Sequence, residues 1–173
     1  MEKSNKEFLI SIKGLEPGEY HYDFVVEDAF FEQFTFQDIH HGKVRLSLDI
    51  EKESRLMVLV FHFEGALQLV CDRCLDTYSQ PIQGDFRLIV KYGEKMEEVS
   101  DELVTIPYDD SYFDISQYVY EFVRLLIPMK RIHPDDENGN STCDAEMLRK
   151  LEAYEEVKTD PRWDALKGLK IKK

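Results

Sequence analysis

Apolar and polar residues alternate along the first half of the chain. Phe8, Ile10 and Ile12 keep one register, and Tyr20, Tyr22, Phe24 and Val26 keep the next. Val44, Leu46, Leu48 and Ile50 alternate with Lys43, Arg45, Ser47 and Asp49. Leu67, Leu69 and Cys71, then Phe86, Leu88, Val90 and Tyr92, repeat the pattern. A period of two bounded by Gly, Pro and Asp predicts antiparallel strands. The run from Leu56 to Phe63, LMVLVFHF, is almost wholly apolar and predicts a strand buried on both faces. Turn residues at Gly14–Gly18 and Gly42 separate the runs. Residues 28–38, DAFFEQFTFQD, settle neither period and fit an extended stretch or a short helix.

The second half changes character. The acidic stretch from Glu94 to Asp110 predicts a long loop. Asp114 then reads as a helix cap, with Gln117 in the reciprocal capping position. Ile115, Val119, Phe122 and Leu126 form a stripe at helical spacing, and Pro128 stops it. A turn-rich linker, HPDDENGNST, follows. A second helix is expected from about Asp144 to Val157, with Leu148 and Leu151 facing inward. Asp160-Pro161 starts a third, short one, with Trp163 as a core anchor beside Leu166 and Leu169. The fold class is therefore α+β: an N-terminal antiparallel sheet, meander or barrel-like, followed by two to three C-terminal helices. Residues 1–157 read as a single α+β domain, and 158–173 as a short helix with a basic tail.

Composition narrows the function classes. The chain has 173 residues, 43% hydrophobic and 12% aromatic, which is enough for a core and too apolar for disorder. No run approaches a membrane span, and the N-terminus lacks the apolar region of a signal peptide. The expectation is a cytoplasmic protein with reduced thiols. The net charge of −13 argues against a general nucleic-acid binder, DNA included. The charge is uneven. Residues 94–121 carry nine carboxylates against Lys95, whereas 158–173 carry six cations against Asp160 and Asp164. The tail, through Arg162, Lys167, Lys170, Lys172 and Lys173, is the segment suited to phosphate; a solvated terminus is the plain alternative.

The chemistry centres on Cys71-Asp72-Arg73-Cys74, at the end of an alternating run. The third cysteine of the chain is Cys143, and His133 precedes it by nine intervening residues. Three thiols and one imidazole suffice for a tetrahedral zinc site. A Cys-x-x-Cys also serves as a redox dithiol, or as two buried structural cysteines. The redox reading wants a strand–helix setting, and this pair follows a strand pattern. Arg73 can reach a phosphate or pair with Asp72 or Asp76. His40-His41 beside Gly42 reads as a turn rather than a ligand pair. The chain lacks G-x-S-x-G, P-loop, H-E-x-x-H and dinucleotide-binding motifs. A four-ligand zinc leaves no open position, so neither an enzyme nor a small-molecule substrate is expected.

Together these residues resemble the YceD family, the bacterial large-ribosomal-RNA accumulation proteins. The resemblance rests on Cys71-Asp72-Arg73-Cys74-Leu75 after a β run and on the Asp114-Ile115 helix ending near Ile127-Pro128. It rests also on the downstream His133 and Cys143, and on Asp160-Pro161-Arg162 followed by Leu166 and Leu169. It covers roughly residues 44–170. Many members carry further downstream cysteines in a C-x-x-C-x-G-L-C pattern; this chain keeps His133 and Cys143 alone. The wording HPDDENGNSTCD is similar to members from the Bacteroidetes group. The resemblance strengthens the zinc reading. It implies a non-enzymatic role in synthesis, processing or stability of 23S rRNA, with large-subunit rRNA precursor or ribosomal proteins as partners. The alternative is a zinc-stabilised protein–protein adaptor that never touches RNA.

Overall fold

The structure is a computed structural model that describes residues 6–34, 39 and 41–155. The chain divides into two compact units: Met1–Val70 with Thr77–Arg131, and Cys71–Asp76 with Ile132–Lys173. The first holds a short strand β1 (Leu9–Ser11), then β2 (Gly18–Val26), a single helical turn α1 (Asp28–Phe31), β3 (His41–Lys52), β4 (Leu56–Val70) and β5 (Thr77–Gly93). It continues with β6 (Glu97–Ser100), β7 (Leu103–Pro107), β8 (Tyr112–Asp114) and α2 (Ser116–Leu125). The sheet order is β2-β3-β4-β5-β7-β6, with β1 and β8 paired separately. Strands β2 to β5 form an antiparallel meander. The sheet has two edges, so the meander alternative holds and the barrel does not. The class is α+β, as the alternation predicts.

The alternation sorts side chains onto two faces. Val44, Leu46, Leu48 and Ile50 are buried, as are Met57, Leu59, Phe61 and Phe63 opposite them on the same face. Helix α2 covers this face with the stripe foreseen for it: Ile115, Val119 and Phe122 are buried. The Phe122 ring stacks on Phe86 at 4.5 Å and meets Phe61 edge-on at 5.2 Å. Gly84 leaves room for Leu126: a Cβ there would overlap its Cδ2.

Four expectations need correction. The Leu56–Phe63 run is covered on one face only. Leu56, Val58, Val60 and His62 are half-buried on the other, because α2 packs against just one side. The acidic stretch is no plain loop. It contains β6 and β7, and β7 lies parallel to β5 with Val104 and Ile106 buried. Strand β5 begins well before Phe86. Its Pro81 is tolerated because the pairing with β7 starts only at Ile89, leaving that stretch of β5 an edge. Finally, Asp114 does not make a capping box. Its carboxylate accepts from the Ser116 N–H at 2.9 Å and hydroxyl at 2.6 Å, while Gln117 donates to Glu121. The ambiguous segment resolves in part as α1. There the Asp28 carboxylate accepts from Gly42 N–H at 2.8 Å and contacts His41 Nδ1 at 2.9 Å, so His41 serves the start of β3.

The second unit contains the turn Cys71–Asp76 and, after Ile132, a hairpin-like loop and helix α3 (Ala145–Glu155). Asp144 caps α3, accepting from the Met147 N–H at 2.7 Å. Leu148 is only half-buried and Leu151 is 39% exposed, so the inward-facing leucines are not found as expected. The third C-terminal helix lies outside the described residues. No helix among the described residues is long and apolar enough to cross a membrane.

Candidate metal centre

Two tight backbone devices build the centre. In the first, the Cys71 N–H donates to Asp76 O at 2.9 Å and the Leu75 N–H to Cys71 O at 3.0 Å, closing the turn. Leu75 takes φ 64°, a left-handed conformation that a γ-branched side chain rarely adopts. The Arg73 N–H then points at Cys71 Sγ at 3.4 Å.

The second device is the loop from Pro134 to Thr142, expected as a flexible linker. It is instead internally bonded. Asp136 Oδ1 accepts from the N–H groups of Asn138 at 2.9 Å and Asn140 at 2.7 Å. Gly139 supplies the positive φ of 79° that the turn needs. Asp135 bridges Ser141 in antiparallel fashion, and Thr142 Oγ1 donates to Pro134 O at 2.7 Å. The flanks His133 and Cys143 are thereby brought side by side. The Asn140 N–H, and after it the Asn140 amide, holds the Asp136 carboxyl below its ordinary value. Asp136→Ala should therefore loosen the approach of His133 to Cys143 and weaken metal affinity by about tenfold, as loss of an orienting partner does. A zinc competition titration measures this. An unchanged affinity would show that the loop does not position the ligands.

All four predicted ligands converge. Cys71 Sγ lies 3.7 Å from Cys143 Sγ, and His133 Nδ1 lies 3.4 Å from Cys74 Sγ and 3.6 Å from Cys143 Sγ. Every ligand atom is within 4.8 Å of the others. Zinc held by sulfur at about 2.3 Å and nitrogen at about 2.0–2.1 Å sets tetrahedral edges of about 3.8 Å and about 3.6 Å. The three spacings of 3.7, 3.4 and 3.6 Å lie close to those edges. The three thiols are buried and His133 is half-buried.

The electrostatics suit a cation. Burial pushes the Cys71 thiol up, but the N–H groups of Cys74 and Arg73 and the ring and N–H of His133 outweigh it. The thiol comes down to about 6 from an ordinary 9.0. Cys74 moves up, first through burial and further through Cys71 and Cys143, against the N–H groups of Asp144 and Asp76. The Cys71 sulfur is thus ready to ionise while Cys74 resists a second negative charge. A dication in their midst removes that conflict, because thiolates are the metal-binding form. The cluster could hold a metal ion.

Of the other predicted residues, Arg73 is among those described. Arg73 is half-buried within the turn and directs its backbone N–H at Cys71 Sγ. Arg162, Lys167, Lys170, Lys172 and Lys173 lie outside the described residues. Sequence reasoning missed Asp136 and the role of Leu75. The Asp-Glu-Asn-Gly-Asn run was a usable signal for the first, since Asp and Asn bond backbone N–H groups two residues on.

A family model described as large ribosomal RNA subunit accumulation protein YceD matches residues 59–170. Searches of curated proteins and of solved structures return no significant match. The match takes in Cys71, Cys74, His133 and Cys143, together with the sheet from Leu59 in β4 onward. Since it covers more than half of the sequence, the chain belongs to the YceD family.

Proposed function

We propose that the chain is a non-enzymatic, cytoplasmic factor in large-subunit assembly that supports synthesis, processing or stability of 23S rRNA. The observation that carries this reading is the family match over residues 59–170 and its description. We assign zinc to the Cys3His cluster as a structural ion. When bound it supplies cross-links between the Cys71–Cys74 turn and the His133–Cys143 loop. Four protein donors fill a tetrahedron and leave no place for substrate, which supports a structural over a catalytic ion.

The test is depletion of the protein followed by sedimentation of ribosomal particles. A deficit of large subunits and of 23S rRNA is expected; normal particle ratios would refute the assignment. Direct contact with rRNA is assigned to the basic tail. Replacing Arg162, Lys167, Lys170, Lys172 and Lys173 with alanine should weaken co-sedimentation with large-subunit precursors. It should also flatten the salt dependence, since each phosphate contact contributes about 0.9 to the log–log slope. Equal binding at every salt concentration would favour the second reading, a zinc-stabilised adaptor that touches only protein. The net charge of −13 supports that alternative.

A further inference from the structure

The face of the sheet opposite α2 carries an arrangement that neither the metal centre nor the family reading uses. Adjacent strands place Glu19, Glu51, Val58 and Ile89 in one cross-strand row, and His21, Asp49, Val60 and Arg87 in the next. Glu19 and Glu51 are exposed and directly opposed, and like charges so placed repel. Val58, Val60 and Ile89 are half-buried beside them. A shallow pocket runs over Glu19, His21, Asp49 and Glu51 with the two valines at its side, and among the described residues no lysine or arginine lines it. The chain thus puts valines on a face that α2 leaves uncovered, next to Glu19 and Glu51, which face no lysine or arginine among the described residues of the pocket.

We infer that this groove docks a segment of a basic protein, its lysine or arginine side chains meeting Glu19, Asp49 and Glu51 and its apolar side chains covering Val58, Val60 and Ile89. Charge complementarity decides the occupant. A nucleic-acid phosphate would face three carboxylates, whereas a cation relieves the Glu19–Glu51 opposition. Arg87 and Lys91, on the β5 side of the valines, set the direction, so the cationic part of the partner lies over β2 and β3. A second copy of this chain is a poor fit, because its own matching face would bring the same carboxylates.

The groove also has a proton-linked neighbour. His21 Nδ1 sits 2.6 Å from Asp49 Oδ1, and its Nε2 sits 3.4 Å from Asp23 and 3.5 Å from Ser47 Oγ. His62 Nε2 sits 3.3 Å from the other oxygen of Asp49, and its Nδ1 sits 2.8 Å from Asp85. Protonation of His21 adds positive charge beside Asp23 and Asp49 and draws Asp49 away from a cationic guest. The hydrogen bond to Asp49 raises the affinity of His21 for its proton. Binding should weaken from pH about 8 to about 5, where lysine stays charged.

The probe is a short fluorescein-labelled peptide with lysines in one half and valines in the other, followed by anisotropy at low salt. The full chain with Glu19→Gln, Asp49→Asn and Glu51→Gln should bind about tenfold more weakly, the summed worth of three exposed pairs. A control with Glu94→Gln, Asp101→Asn and Glu102→Gln changes net charge equally and should bind as the parent does. A peptide with serine in place of valine should bind more weakly, and His21→Gln should flatten the pH dependence. These side chains are exposed, and circular dichroism melts check that the sheet persists. Equal losses in the two triple variants would overturn the proposal and assign the attraction to the bulk charge. So would indifference to the valines. A single-stranded RNA oligonucleotide that displaces the peptide would overturn it too, by making the face a nucleic-acid surface. None of these outcomes depends on zinc or on the large-subunit reading.

Discussion

Replacing Cys143 with serine should reduce bound zinc from about one per chain to near zero and release residues 132–155 to rapid hydrogen exchange. Structural zinc is worth on the order of 10 kcal/mol in small domains, comparable with the whole stability of an ordinary one. The second unit has little else of that size. Among its described residues only the three cysteines are buried, and α3 shows Leu151 39% and Tyr154 87% exposed. Serine keeps the shape but offers no thiolate, so the remaining donors cannot close a tetrahedron. The sheet has its own core and should keep its circular dichroism signal. Metal analysis of protein prepared without chelator, paired with hydrogen exchange resolved by residue, tests both halves of the statement. A metal-free chain with unchanged protection over 132–155 would disprove it.

The second large effect belongs to the first unit. Phe122→Ala should lower its unfolding free energy by about 3–5 kcal/mol, the range for emptying a buried aromatic position. Phe122 is 7% exposed and touches Phe61, Phe63 and Phe86 with its ring. It is the residue through which α2 holds the middle of the sheet. Collapse cannot fill the gap, since the partners lie on paired strands whose backbones are fixed by neighbours. Urea unfolding should show a lower midpoint at an unchanged slope. A loss under about 1 kcal/mol would mean that α2 is held by its other contacts.

The sequence made most of this legible where one physical signal dominated. Val44 to Ile50 alternates cleanly because one face meets α2 and the other meets water, so strand and face could both be read. The Cys3His cluster was readable because the chain has only three thiols, two of them in a Cys-x-x-Cys, with a histidine close before the third. The losses follow from competing signals. Val104 and Ile106 are two buried positions in a stretch dominated by carboxylates, and β6 has no buried position at all, so periodicity had too little to work on. The beginning of β5 was hidden by Thr77, Ser79, Gln80 and Pro81, of which Pro81 is admissible because that part of the strand is an edge. The LMVLVFHF run looked two-sided because composition records apolarity, not what covers it. The loop at Asp136 was hidden for the opposite reason, as the same residues that disorder a linker also bond one into shape.

One consequence of the connectivity concerns the order of synthesis. Every strand of the sheet and helix α2 are complete by Leu125, whereas His133 and Cys143 emerge later. Domains tend to form from the N-terminus as the chain grows. The growing polypeptide therefore passes through a stage in which Cys71 and Cys74 are already present on their turn as an incomplete, two-donor half-site. Two donors hold a metal far more weakly than four, so capture is deferred until translation has passed Cys143. The ion would then mark elongation past Cys143: a chain cut short between Leu125 and that residue can carry an intact sheet and still fail to retain it.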